Sequence, residues 1–186
     1  MKEVATLAAN LMAASARTAP KAGGKDFLEI VVITDEADLK RIAEAMKAYA
    51  PKSTNEAFWH RDADNIEHSE AVVLIGLKKF QAAGYDCGAC GFSTCAEFQI
   101  QRQPTDKEMG YTGPHCVMRM MDIGVALASA AKTAGLVNID NRVQQRVGAG
   151  ARALGLIDAE VVMGVPVSIS GKSIYFDRKV PSVPGH

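Results

Sequence analysis

Several features that would narrow the function are absent from this sequence of 186 residues. No apolar run reaches the roughly 18 residues that a membrane-spanning helix needs, so we expect no membrane partner. Basic and acidic residues number 21 each, a balance that gives no reason to expect nucleic acid as a partner. Hydrophobic residues make up 48% of the chain, which is enough for a single globular domain covering residues 1–186.

The chain also lacks a pattern typical of export. Its apolar N-terminus ends in small residues like a signal peptide, but Glu3 cancels the charge of Lys2 and Asn10 interrupts the apolar run. Apolar residues recur there with helical spacing and predict one stripe of an amphipathic helix, formed by Val4, Leu7, Ala8, Leu11 and Met12. We therefore expect a cytoplasmic protein, in whose reducing surroundings disulfide bonds are rare.

Cysteine is scarce, and the four that occur follow the pattern C-x2-C-x4-C-x20-C at Cys87, Cys90, Cys95 and Cys116. Four thiolates are the ligands of a [4Fe-4S] cluster, which takes one cysteine per iron. A tetrahedral zinc site needs the same number, but such sites usually pair two short Cys-x2–4-Cys units. Here three cysteines share one loop and the fourth lies far away, so the spacing favours iron–sulfur and leaves zinc as the alternative.

The residues between the cysteines suit an anionic metal cluster. Gly88 and Gly91 lie beside the candidate ligands, where they can adopt positive φ and bring backbone N–H groups close to sulfur. Thr94 and Glu97 form a capping box, which predicts that a helix begins at Cys95 with the positive end of its dipole towards the site. A second apolar helix is expected to begin at Cys116.

Residues 87–98, which read CGACGFSTCAEF, resemble the four-cysteine [4Fe-4S] domain of corrinoid iron–sulfur proteins and of membrane electron-transport complexes. The resemblance implies that Cys87, Cys90, Cys95 and Cys116 bind one cluster, within an inserted segment of residues 80–120. The whole chain also resembles a prokaryotic family described as ferredoxin-domain-containing proteins.

The rest of the chain alternates between apolar runs typical of buried strands and segments with helical periodicity. We predict strands over residues 27–34, 71–77 and 159–169, and helices over residues 2–16, 35–49, 95–103, 116–134 and 139–154. In the second of these helices, with Thr34 or Asp35 as its cap, the inner face is expected to contain Leu39, Ile42, Ala43 and Met46. Residues 181–186 are expected to form a loose tail.

Three stretches of the chain, residues 14–20, 122–136 and 162–166, resemble the nitroreductase fold of flavin enzymes. The resemblance implies an α+β fold with a sheet between helices, interrupted here by the four-cysteine loop. It also implies a homodimer with FMN at the subunit interface, and an oxidoreductase activity. The family's N-terminal arginine–serine–arginine phosphate site has no counterpart. The candidate contacts to an FMN phosphate are Arg17, Lys21, Lys25 and Arg178, for which the alternative is ordinary solvated surface charge.

These patterns lead to three hypotheses about function. The first is a [4Fe-4S] redox protein that transfers single electrons to FMN or to a partner protein, since four cysteines leave no cluster position open for substrate. The second is a structural or regulatory binding protein that is stabilised by zinc or by a cluster. The third is an FMN-dependent reductase in which the cluster admits electrons. His115, next to Cys116, is a candidate for tuning the cluster by a hydrogen bond.

Overall fold

A computed structural model describes residues 1–176 of the chain. Arg178 and the tail over residues 181–186, which we expect to be loose, lie outside the described residues. The elements in chain order are α1 Lys2–Thr18, β1 Leu28–Ile33, α2 Glu36–Tyr49, α3 Glu56–Glu67, β2 Ala71–Leu77, α4 Cys95–Gln101, β3 Thr105–Asp106, β4 Thr112–Gly113, α5 Val117–Gly135, β5 Asp140–Asn141, α6 Gln145–Ala153 and β6 Val161–Ser168.

Four strands form one antiparallel sheet in the order β1-β2-β6-β5. All seven residues of β2 are buried. Helices cover both faces of the sheet, and β2 lies between its neighbouring strands β1 and β6. The strand predicted over residues 27–34 forms as β1, but it lies at the edge of the sheet and only Leu28 and Ile33 are buried, so the prediction of a buried strand is wrong for its middle residues. The predicted α+β fold with a sheet between helices is confirmed.

Helices α1 and α5 cover one face of the sheet. Small side chains such as Ala5, Ala9 and Ala130 are fully buried in this layer, which lets the two helices pack closely together. The predicted apolar stripe of α1 is only partly directed inwards. The core takes Ala8 and Met12, but Val4, Leu7 and Leu11 are exposed, because the alanine face of the helix is the one turned towards the sheet.

Helices α2, α3 and α6 cover the opposite face. The Asp35 carboxylate caps α2 by accepting hydrogen bonds from the N–H groups of Ala37 and Asp38, as expected of an N-cap residue. The predicted inner face of α2 is confirmed, since its buried residues are Leu39, Ile42, Ala43 and Met46. Helix α6 lies directly on the β6 backbone, where a Cβ added to Gly148 would be 2.3 Å from the carbonyl oxygen of Val162.

The predicted helix over residues 139–154 is wrong at its beginning. Asn138 has a φ of 55°, and the chain then continues as the short edge strand β5, paired with β6. The carboxylate of Asp140 also accepts hydrogen bonds from the Ser173 hydroxyl and the Ile174 N–H. These long-range partners outweigh the local helical periodicity, so the helix begins only at Gln145. Within residues 1–176, no helix is long and apolar enough to cross a membrane.

Candidate metal centre

The segment that contains the cysteines leaves the sheet at the end of β2 and rejoins the helical layer at α5. It has a small apolar cluster of its own, whose buried members are Phe80, Phe98 and Cys116. The Phe98 ring stacks on Phe92 at 4.7 Å and meets the edge of Phe80 at 4.7 Å. Cys90 packs against the same cluster. Cys90 and Cys116 therefore contact the same apolar side chains, although the 20 residues between Cys95 and Cys116 separate them in the chain.

Asp86 connects the first cysteine to the third. Its carboxylate accepts the Cys95 N–H at 2.6 Å, and its own N–H donates to the Cys95 Sγ at 3.4 Å. These two hydrogen bonds place Cys87, the next residue in the chain, beside the beginning of α4. Our sequence reasoning missed this role, although an aspartate directly before the motif is a common acceptor for exposed loop N–H groups.

The glycines of the motif adopt the predicted conformation. Gly88 has a φ of 71° and Gly91 a φ of 88°, and the Gly91 N–H donates to the Gly88 carbonyl at 2.9 Å. Residues with a Cβ adopt such positive φ values only at a cost. Gly88 turns the chain between Cys87 and Cys90, and Gly91 turns it directly after Cys90.

The predicted helix starts at the third and fourth cysteines are confirmed. Helix α4 begins at Cys95, and the Thr94 hydroxyl accepts the Glu97 N–H at 3.1 Å. The Glu97 carboxylate accepts the N–H of Ser93 and not that of Thr94, so the capping box is shifted by one residue. Cys116 is the N-cap residue of α5, and it is almost fully buried.

His115 lies in a buried position beside Cys116. Its Nδ1 accepts the Cys116 N–H at 3.2 Å, and its Nε2 lies 3.4 Å from the Oε2 of Glu160. Burial lowers the pKa of His115, although the charge of Glu160 acts in the opposite direction. The imidazole is oriented by its contact with the Cys116 backbone.

The four cysteines differ in exposure and are all free thiols. Cys87 is exposed, Cys90 and Cys95 are half-buried, and Cys116 is buried. In the part of the chain that the structure describes, no three His, Cys, Asp or Glu side chains lie close enough together to hold a metal ion. The donor set fits a four-thiolate cluster in number and chemistry. The thiols are not gathered into a closed site, so the metal assignment stays a prediction.

Three of the four candidate phosphate contacts lie near the end of α1. Arg17 Nη1 pairs with Asp26 Oδ2 at 2.7 Å, and Lys21 Nζ donates to the carbonyls of Arg17 at 2.6 Å and Ala19 at 2.8 Å. Burial acts to raise the pKa of Asp26, but the hydrogen bonds from Arg17 and the Leu28 N–H, together with the charges of Arg17 and Lys21, outweigh it and lower the pKa. Arg17 and Lys21 thus have structural partners, whereas the exposed Lys25 side chain extends from the following loop.

The loop over residues 22–25 is fastened to α5 by a buried ion pair. Arg119 Nη1 lies 2.9 Å from Asp122 Oδ2 and also donates to the carbonyls of Ala22 and Lys25. The other carboxylate oxygen of Asp122 accepts the Ala22 N–H at 2.7 Å. Because α5 begins just after Cys116, this pair connects the loop that carries Lys25 to the helix that follows the fourth cysteine.

The same loop adjoins the cysteine-containing segment. A Cβ added to Gly23 would lie 3.3 Å from the hydroxyl of Tyr85, which stands two residues before Cys87. The two groups of candidate site residues, the phosphate contacts and the cysteines, are therefore neighbours on one side of the molecule. Arg178, the fourth phosphate candidate, is outside the described residues.

Comparison with solved structures shows that the fold is that of the nitroreductases. A nitroreductase with bound FMN from Desulfitobacterium hafniense DCB-2 has a TM-score of 0.58 at 12% identity, over 96% of this chain and 82% of that chain. The structure of B. megaterium NfrA2 has a TM-score of 0.51 at 14% identity, over 96% of this chain and 62% of that chain. The chain thus spans less than two thirds of the NfrA2 length.

Comparison of sequences shows the family. Residues 112–178 match the family described as "uncharacterized protein containing a ferredoxin domain" (DUF2148). An uncharacterized protein of Archaeoglobus fulgidus is 45% identical over 172 residues, which are 92% of this chain and 90% of that protein. The chain belongs to this ferredoxin-domain family, which confirms the resemblance stated for the whole chain. The matched residues include Cys116, α5, α6 and β6.

Proposed function

We propose that the protein is a redox protein that binds one [4Fe-4S] cluster through Cys87, Cys90, Cys95 and Cys116. The observation that carries this proposal is the packing of Cys90 and Cys116 against one small apolar cluster, despite their separation in sequence. Membership of a ferredoxin-domain family supports it independently. When bound, such a cluster supplies one-electron transfer.

The residues of the segment have distinct tasks in this proposal. Phe80 and Phe98 keep water from the inner side of the site, next to Cys116. Cys116 is the N-cap residue of the 19-residue helix α5, so the positive end of the helix dipole would face a negatively charged cluster bound there. Cys87 is exposed, so a redox partner protein would approach from its side. Thiolate ligands need reducing surroundings, and a cytoplasmic location is part of the proposal.

Anaerobic purification tests the metal assignment directly. We expect about four iron and four sulfide per chain, with an EPR signal on reduction, as a [4Fe-4S] cluster requires. Cys116→Ser should lower the iron content, whereas Ser93→Ala, at an exposed non-cysteine position of the same loop, should leave it unchanged. A colourless protein with one zinc per chain would contradict the redox proposal.

A zinc- or cluster-stabilised structural or regulatory protein is the alternative. It is favoured by the extent to which ordinary hydrogen bonds already hold the segment, including those of Asp86 and Thr94. In that case Cys95→Ser would lower the metal content and the stability of the segment, and the purified wild-type protein would show no reversible one-electron reduction. If dithionite reversibly reduced the wild-type protein by one electron but did not reduce Cys95→Ser, the structural or regulatory alternative would be excluded.

FMN binding is a second proposal, and it makes the protein an oxidoreductase of the nitroreductase type in which the cluster admits electrons. It is supported by the fold shared with a nitroreductase that has bound FMN. Lys25 is the best placed phosphate contact, with Arg17, Lys21 and Arg178 as further candidates. We expect flavin fluorescence after denaturation and weaker FMN binding in Lys25→Ala. Lys40→Ala, at an exposed position of α2, serves as the control. Apo protein that does not take up added FMN would contradict this proposal.

We also propose a homodimer, for which the exposed apolar face of α1 is the candidate surface. Val4, Leu7 and Leu11 line a groove of about 380 Å³ together with Val137 and Ile169. Light scattering should report twice the chain mass for wild-type protein and a monomer for Leu7→Glu. Ile100→Glu, an equally drastic change of an exposed side chain in α4, should leave the dimer intact. A wild-type monomer at high concentration would contradict the proposal.

A further inference from the structure

Arg102 and Glu160 form a largely buried ion pair at the base of the cysteine-containing segment. Their side chains are 10% and 17% exposed. Arg102 Nη2 lies 2.7 Å from Glu160 Oε2, and Nη1 lies 3.4 Å from Oε1, which is the two-pronged arrangement of a strong arginine–carboxylate pair. Neither residue belongs to the cysteine motif.

The pair contacts the segment at three places: after β2, at the end of α4, and just before Cys116. Glu160 Oε2 accepts the N–H of Phe80, where the chain leaves the sheet, at 3.1 Å. Arg102 itself is the C-cap residue of α4, and its Nε donates to the carbonyl of Pro114 at 2.8 Å. Pro114 stands two residues before Cys116. The guanidinium of Arg102 also lies 4.4 Å from the centre of the Phe80 ring.

Glu160 is in turn anchored to the sheet. Its N–H donates to the carbonyl of Leu77, the last residue of β2, at 2.8 Å, and its carbonyl accepts the N–H of Thr112 at 2.9 Å. The carboxylate is therefore a fixed point on the scaffold, and Arg102 bridges from it to the chain that returns at Pro114. Without this bridge, the residues between Cys95 and Cys116 would form one long flexible loop, and bringing the two cysteines together would cost more conformational entropy.

We infer that the Arg102–Glu160 pair positions Cys116 against the loop that carries Cys87, Cys90 and Cys95. The inference rests on the proposed function for the role of these cysteines as ligands, but the positioning is a property of the metal-free chain. Arginine is required, because only its fork reaches Glu160 and the Pro114 carbonyl at once. Lysine keeps the charge and loses one of these contacts.

The first test uses metal-free protein and is independent of any cluster. In a Cys87→Ser/Cys95→Ser background, dibromobimane becomes fluorescent when it links the two remaining thiols, Cys90 and Cys116. Because Cys116 is almost fully buried, the linking rate is divided by the rate at which monobromobimane labels Cys116 in the same protein. We expect this normalised linking to be at least tenfold slower in Arg102→Lys than in the background protein. Arg41→Lys, which changes an exposed ion pair with Asp38 in α2, should link at the background rate.

A double variant tests whether slow linking in Arg102→Lys results only from misfolding. Arg102→Gln/Glu160→Gln removes both charges, so that no buried charge is left unpaired. It should keep the unfolding temperature of the background protein within a few degrees and still link the thiols slowly. Linking at the background rate in both Arg102→Lys and the double variant would overturn the inference.

The second test uses protein purified with its metal, with all four cysteines present. In Arg102→Lys we expect iron below four per chain and a changed EPR signal, while Arg41→Lys keeps the wild-type values. Full iron content and an unchanged signal in Arg102→Lys would count against the positioning role and leave the cluster proposal intact. Slow linking in Arg102→Lys, together with no iron in any variant, would support the positioning role and refute the cluster proposal.

Discussion

Replacing Phe98 by alanine should open the cysteine-containing segment without unfolding the sheet. Phe98 is fully buried, stacks on Phe92, and meets Phe80 edge-on. It is also the most deeply buried member of the small cluster that buries Cys116. That cluster is separate from the two larger cores on either face of the sheet, so the loss should fall on the segment.

The size of the effect follows from the burial. A fully buried phenylalanine that is cut back to alanine typically costs about 3–5 kcal/mol. If this free energy is lost from local opening, the open population rises roughly a hundredfold to several thousandfold. Cys116 is 3% exposed, so its reaction with a thiol reagent reports that population. The assay is the labelling rate of Cys116 in metal-free protein whose other three cysteines are serine.

The control is the same substitution at Phe58, whose side chain is 48% exposed, and it should change the Cys116 labelling rate by less than a factor of three or so. Circular dichroism should show that Phe98→Ala retains its helices and sheet. A labelling rate within a few-fold of the parent would refute the reasoning, because the aromatic cluster would then not be what shields Cys116. A simultaneous collapse of the sheet would refute the claim that the segment opens on its own.

Three further predictions concern the scaffold. Gly148→Ala should lower the free energy of unfolding by about 1–3 kcal/mol, because its Cβ would meet the Val162 backbone. Gly124→Ala, at an exposed position of α5, should raise it by roughly 0.4–1 kcal/mol. Urea midpoints compare the two variants, and equal midpoints would contradict the close packing of α6 on β6. Asp35→Ala should cost about 0.5–2 kcal/mol by removing the cap of α2, and an unchanged urea midpoint would show that its hydrogen bonds contribute nothing. Burial raises the pKa of Tyr111 to about 12 from 10.0, so the unfolded chain loses this proton first and stability falls as the pH rises above 10.0. Tyr111→Phe should lose less stability than wild type over that range in pH-dependent urea titrations, and identical slopes would contradict the burial of the phenol.

Much of the local structure could be predicted from the sequence because the signals for it lie within a few residues of each other. Asp35 precedes a regular apolar pattern, and it caps α2 as expected. Residues 71–77 form an uninterrupted apolar run, which only a strand covered on both faces can bury. Thr94 and Glu97 indicate a helix start at Cys95, and their hydroxyl and carboxylate do cap that turn.

Other features depend on partners far away in sequence and could not be found from local patterns. Arg102 and Glu160 are 58 residues apart, and nothing near either of them indicates the pair. Helical periodicity predicted α1 correctly, but it placed large side chains such as Leu7 on the inner face of the helix. The inner face is instead formed mainly by alanines, which are small enough to pack closely against α5. The strand β5 forms because β6 offers an edge to it, and that edge is not visible in residues 139–154 themselves.

The antiparallel pairing of β2 with β6 has a consequence for synthesis on the ribosome. Strand β2 is complete at Leu77, but β6 begins only at Val161, so the centre of the sheet waits for roughly ten seconds of translation before it can close. During that interval the nascent chain exposes the run AVVLIGL, which contains no charge and no proline to discourage intermolecular association. We therefore expect that shielding of this run by chaperones aids production, and that expression at low temperature or with added chaperone raises the yield of dispersed protein.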